Sequence, residues 1–318
     1  CLKNDVATHP TSAQKVIGDA VLRKEILSFS GWTLLESIGI ITIRQGSVFL
    51  VNIFFGVVVN AAYGIATVVN MQMLQFSSSA LNAIKPVIYK SFGTENKARQ
   101  RFFVFGTSKI GVVLLSLIVV PFICEMDYIL SIWLVQIPEF TSIFIKLALV
   151  LTIIRQWSYG LIIGMRAHGR IKETQMAAFF LQILNFPVSY FLFTKGYPAY
   201  SIFLVAIIIE LLILASRLYY ADRYIKINAL SYLKQIVIKP GIVLVGTYFL
   251  FDYWSGQTQP SILRMTVLLF SNLIIVGIYI YTIVLDKHER GLINGLLSSY
   301  AKKRNSDEKL PHSLRTQP

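Results

Sequence analysis

Two arginines stand deep inside apolar runs, where a charge is costly and therefore informative. Arg44 lies within GWTLLESIGIITIRQGSVFLVNIFFG and Arg155 within TSIFIKLALVLTIIRQWSYG. A guanidinium keeps its proton and donates from a planar fork, so it suits phosphate or another anion with paired oxygens. Ser37 precedes Arg44 by two helical turns on the same face, and Glu36 offers an intrahelical partner. Arg44 is thus read either as facing an aqueous cavity that takes an anionic ligand or as half of a buried ion pair. Glu36 and Glu210, also inside apolar runs, are the candidates for coupling to an ion gradient. Lys109 and Lys146 lie near the ends of their runs, where a long side chain can snorkel to water.

Polar side chains recur at helical spacing around these charges. Gln72, Gln75, Ser79 and Asn82 share one face of a helix. Thr152, Arg155 and Tyr159 share another, beside Gln156 and Trp157. Gln175, Gln182 and Asn185 form a third, ended by Pro187, which should kink its helix. Such stripes cannot face lipid cheaply, so they either bond to neighbouring helices or line a hydrated path. Meeting around one interior, they define a candidate site for an anionic headgroup: Arg44, Gln72, Gln75, Ser79, Asn82, Arg155 and Tyr159.

The elements that position them are membrane helices. The chain is 55% hydrophobic and 14% charged over 318 residues, far below the charge of a soluble domain. With about 20 apolar residues needed per crossing, the sequence predicts an all-α fold of about eight spans. They run near Phe29–Phe54, Ala61–Ile84, Phe103–Ile123, Phe140–Ile163, Thr174–Phe193, Ala199–Tyr219, Ile236–Tyr253 and Leu263–Leu285. Basic residues crowd alternate connections: the start of the chain, 85–101, 166–172, 217–239 and the tail. The intervening loops carry little base, and 125–139 carries Glu125, Asp127 and Glu139. Lysine and arginine mark the cytoplasmic side, so both ends of this segment are expected to be cytoplasmic. Gly93–Phe103 reads as a surface helix or a basic loop, and Lys302–Pro318 as a polar, disordered tail.

The same pattern excludes several classes. A net charge of +14 would point to nucleic acid in a soluble protein, but not with this hydropathy. No P-loop, HExxH or GxSxG is present, so neither enzyme nor cofactor is expected. The four histidines, His9, His168, His288 and His312, fall in loops or tails. Two cysteines, Cys1 and Cys124, make neither a disulfide framework nor a metal site. Cys1 in place of a Met reads as the start of a fragment rather than as a lipidated residue, because no cleavage signal accompanies it.

The opening FSGWTLLESIGIITIRQGSVFLVNIFFG, the following NAAYGIATVVNMQMLQFSSSALNAIKPVIYKSFG, and RAHGRIKET after the fourth span resemble the C-terminal part of a Wzx-type polysaccharide flippase. That family belongs to the superfamily that also holds MATE multidrug exporters. The likeness runs from about Phe29 to Leu285. It implies a cytoplasmic linker over 1–28, a six-helix lobe over 29–222, two added helices over 223–286 and a cytoplasmic tail over 287–318. It implies transport of a polyprenyl-diphosphate-linked oligosaccharide across the cytoplasmic membrane for O-antigen or capsule assembly. It also implies a cavity lined by the first, second and fourth helices, where Arg44, the Gln72–Asn82 stripe and Arg155 lie. The partners implied are membrane lipids, an N-terminal lobe preceding this segment, and a polysaccharide polymerase. A multidrug exporter of the same fold and a membrane-embedded polymerase are the alternatives. The first should carry acidic cavity residues, and the second a large external loop.

Overall fold

The computed structural model describes residues 12–82, 85–92, 97–170, 172–279 and 282. Every regular element among them is helical. Seven helices among the described residues are long and apolar enough to cross a hydrocarbon core, as in a multi-pass membrane protein. The chain divides into two compact units, one from Cys1–Gly111 and Met126–Tyr232, the other from Val112–Glu125 and Leu233–Pro318.

The first unit begins with α1 (Ser12–Asn82), which folds back on itself at Gly56. There φ is 79° and ψ −178°, a backbone conformation open to glycine and closed to bulkier residues. Arg44 and Met71, 27 residues apart, touch across the fold at 3.4 Å. A straight helix would hold them about 40 Å apart. The first candidate span, Ser37–Asn82, contains this reversal. The linker expected over 1–28 is helical from Ser12 onward.

Short α2 (Lys85–Phe92) precedes α3 (Lys97–Cys124). Of the segment Gly93–Phe103, read as a surface helix or a basic loop, residues 93–96 lie outside the described residues, and the rest is the start of α3. The acidic segment read as a loop contains an amphipathic helix instead, α4 (Met126–Trp133), with Met126 and Leu130 buried. Asp127 reaches Lys146 at 3.8 Å.

Two spans are interrupted. α5 (Thr141–Trp157) and α6 (Tyr159–Ala167) meet at Ser158, and α7 (Lys172–Ile183) and α8 (Asn185–Thr194) meet at Leu184. The second break lies one turn before Pro187, whose missing N–H and ring bulk disturb the turn N-terminal to it. At the first break, Trp157 O accepts a bond from Tyr232 Oη at 2.7 Å, and Gly160 N donates to Ser108 Oγ at 2.9 Å. Freed backbone groups in an apolar interior need such partners. α9 (Ser201–Ile225) packs on α5, α7 and α8, and α10 (Ala229–Tyr232) ends the unit.

Small residues set how closely the helices approach. Cβ atoms at Gly39 and Gly46 would stand 2.8 Å from the rings of Phe179 and Phe186. Both pairs repeat after seven residues, so two turns of α1 accept two turns of the α7–α8 segment.

The second unit holds the end of α3, a π-helical turn (Leu233–Ile238), α11 (Lys239–Gln257) and α12 (Ile262–Tyr279). Pro121 cannot donate to Leu117 O within α3. Asn272 Nδ2 supplies that bond at 2.9 Å and a second to Ser116 O at 3.0 Å. Arg264 Nη2 binds Glu125 at 2.7 Å, and its Nη1 donates to Ser255 O and Thr258 O. The sequence places Glu125 in a loop and Arg264 at the edge of a span, and both are buried.

Gly160 gives the sharpest test of this packing. A Cβ there would stand 2.2 Å from Val104 O, whereas one at Gly106 would meet nothing within 4 Å. Gly160→Ala should therefore cost about 1–3 kcal/mol. Gly106→Ala should be neutral or slightly stabilising. Equal thermal midpoints for the two variants in detergent would contradict this packing.

Candidate functional site

The first unit contains a cavity of about 210 Å³. It is walled by both arms of α1, by α5, by the α7–α8 junction and by α9. Each helix contributes at its own period. Ile40, Arg44 and Ser47 come from the first arm, and Tyr63, Thr67, Asn70 and Leu74 from the second. Leu151 and Arg155 are one turn apart on α5, and Phe203, Ala206 and Glu210 follow the same rule on α9. Gln182 and Asn185 flank the break at Leu184.

Charges dominate the chemistry. Arg155 Nε donates to Glu210 Oε2 at 3.2 Å. Glu210 Oε1 accepts from Arg217 Nη1 at 3.4 Å. Glu210 and Arg217 are buried, at 5% and 8% side-chain exposure, while Arg155 is 39% exposed. One carboxylate thus serves two guanidiniums. Arg44 reaches only the thioether of Met71 among the described residues, a weak acceptor that neutralises nothing. Tyr63, bonded to Ser47, lies within electrostatic reach of both Arg44 and Arg155. With two arginines and one shared carboxylate on its wall, the cavity carries net positive charge. Gln182 Oε1, buried without a partner, leaves an acceptor for a ligand hydroxyl or amide.

Several residues proposed from sequence lie elsewhere. Gln72, Gln75, Ser79 and Asn82 are exposed and outside the cavity wall, with Gln75 Nε2 bonded to Ser79 Oγ at 3.4 Å. The reason is helical phase: the stripe sits roughly 130° around the arm from the face of Thr67, Asn70 and Leu74. Tyr159 follows the Ser158 break and is not on the cavity wall. Its ring lies beneath Lys85 Nζ at 6.0 Å. Thr152 Oγ1 bonds to Asn70 at 2.6 Å, and Ser77 Oγ to Gln156 at 3.1 Å, so these polar residues join α1 to α5. The side chain of Glu36 lies outside the described residues.

Arg217, Tyr63, Thr67 and Asn70 were missed. Arg217 had been counted with the loop charges, yet its seven-residue spacing from Glu210 is a same-face signal. Tyr63, Thr67 and Asn70 keep a four-then-three spacing that marks a polar face, adjacent to the stripe that drew the eye.

Glu210→Gln should destabilise the protein by about 3 kcal/mol, because it removes the buried carboxylate that Arg155 and Arg217 share. Adding Arg217→Gln should recover part of that loss. A thermal-denaturation double-mutant cycle should give a coupling of about 1–3 kcal/mol, and strict additivity would mean the two groups do not interact. Comparison of the chain with protein-family models, curated proteins and solved structures yields no match.

Proposed function

We propose that this chain is a transporter segment that binds the diphosphate of a polyprenyl-linked oligosaccharide and takes part in moving it across the cytoplasmic membrane for surface-polysaccharide assembly. The observation that supports this most is the convergence of Arg44 and Arg155 on one cavity from two different helices. Positive charge inside an apolar bundle is expensive, and an anionic cargo is a reason to keep it. Paired guanidiniums match paired phosphates.

On this reading residues 29–222 form a six-helix lobe of MATE-like design. The fold-back at Gly56 makes two crossings of α1, for eight in all with the two helices of 223–286. Both ends of the segment face the cytoplasm, following the basic loops. The lobe works opposite a second lobe, rocking about a midplane site, and a polysaccharide polymerase takes the delivered cargo. A multidrug exporter of the same design would use Glu210 for a cationic cargo. Two arginines already engage that carboxylate, which favours the anion.

Arg44→Ala should cut lipid-linked oligosaccharide translocation at least about tenfold, with Arg44→Lys retaining more. A binding contribution of about 1.4 kcal/mol is enough for that factor. The assay follows inner-leaflet accumulation of the substrate in cells carrying the full gene product. Normal translocation by both Arg44→Ala and Arg155→Ala, correctly inserted, would overturn the reading. Outer-leaflet accumulation of unpolymerised units would point to a polymerase instead.

A further inference from the structure

Glu210 gives the cavity a property that its arginines alone would lack. It holds Arg155 by one edge, Nε to Oε2 at 3.2 Å, leaving both terminal nitrogens of that guanidinium without partners among the described residues. Its other oxygen faces Arg217, which is buried and is not part of the cavity wall. The carboxylate therefore has one cationic partner on the cavity side and one behind.

An entering anion must compete with Glu210 for Arg155. An anion with one charge offers Arg155 little that Glu210 does not already give, and it adds its own desolvation cost. An anion with two charges can engage Arg44 and Arg155 together, since both line the same space. When Arg155 turns to the ligand, Glu210 keeps Arg217, so no bare carboxylate is stranded. We infer that Glu210 is a charge filter: an internal competitor for Arg155, backed by Arg217, that admits anions of two or more charges and turns away those with one. The filter rests on the anion-binding reading above and adds a selectivity that simple positive charge does not provide.

Calorimetry on the 318-residue chain in nanodiscs tests it, with inorganic pyrophosphate as the multiply charged probe and dimethyl phosphate as the singly charged one. The wild type should prefer pyrophosphate by at least about 100-fold. Glu210→Gln/Arg217→Gln removes the competitor and its buried counter-charge together, and should narrow that preference about tenfold by strengthening dimethyl phosphate binding. Arg217→Gln alone leaves Glu210 to Arg155 and should weaken pyrophosphate binding about tenfold. Glu210→Asp, one methylene shorter, should shift the preference in the direction of the double variant without removing the charge. An unchanged preference in both the double variant and Glu210→Asp overturns the filter while leaving the anion site standing. Failure of the wild type to bind either probe removes the anion site and the filter with it.

Discussion

A carboxylate in an apolar interior must be neutralised, and Glu210 is neutralised from two helices. Arg217 lies two turns along α9, and Arg155 comes from α5. The pairing fixes the rotation of α9 about its axis, because the face that carries Glu210 must look toward α5. That rotation also sends Phe203 and Ala206 to the cavity wall. Rotating α9 to bury the carboxylate elsewhere would strand charge on α5, at a cost well beyond what apolar contacts recover. The cavity is thus a consequence of the ion cluster as much as a space left by packing.

Interruptions of helices do the remaining positioning. Gly56 lets the arms of α1 lie side by side, so that Arg44 and Asn70 reach one space. The break at Leu184 sets Gln182 and Asn185 on the same wall. The break at Ser158 ends α5 just past Arg155, and Tyr232 and Ser108 bond the freed backbone. Each irregularity has a side chain or a glycine that makes it tolerable, as backbone away from water requires.

The charges were legible in the sequence because an ionisable residue in an apolar run stands out by itself. Arg44, Arg155 and Glu210 were found that way. Their pairing was not, since Arg155 and Glu210 are 55 residues apart and Arg264 and Glu125 are 139 apart. The helical class and most helix ends were legible from hydropathy. The short helix α4 was hidden by its acids, which suggested a loop. The stripe from Gln72 to Asn82 shows a different limit. Periodicity says that polar residues share a face, but it does not say which face looks inward. The buried polar face of that arm, Asn70 and Ser77, bonds to Thr152 and Gln156 instead. Tyr159 lies just past the interruption at Ser158 and off the cavity wall, where the sequence reads as one continuous helix.

Two buried carboxylates allow a structural arginine to be told from one available to a ligand. Arg264 is 8% exposed and spends its terminal nitrogens on Glu125, Ser255 O and Thr258 O. All of these lie in the second unit, where they tie the start of α12 to the end of α11 and to the end of α3. The Arg264 Nε is buried without a partner among the described residues, closed off from water. Arg155 also binds a buried carboxylate, yet it uses Nε alone and is 39% exposed, with its terminal nitrogens at a cavity and unpartnered among the described residues. The cost of burying a carboxylate is met in both places, but only at Glu210 do the donors in reserve face a cavity. Burial and charge alone do not separate the two sites. Where the unspent donors lie does: those of Arg155 are at the cavity and that of Arg264 is sealed in, which places Arg155 with Arg44 rather than with Arg264.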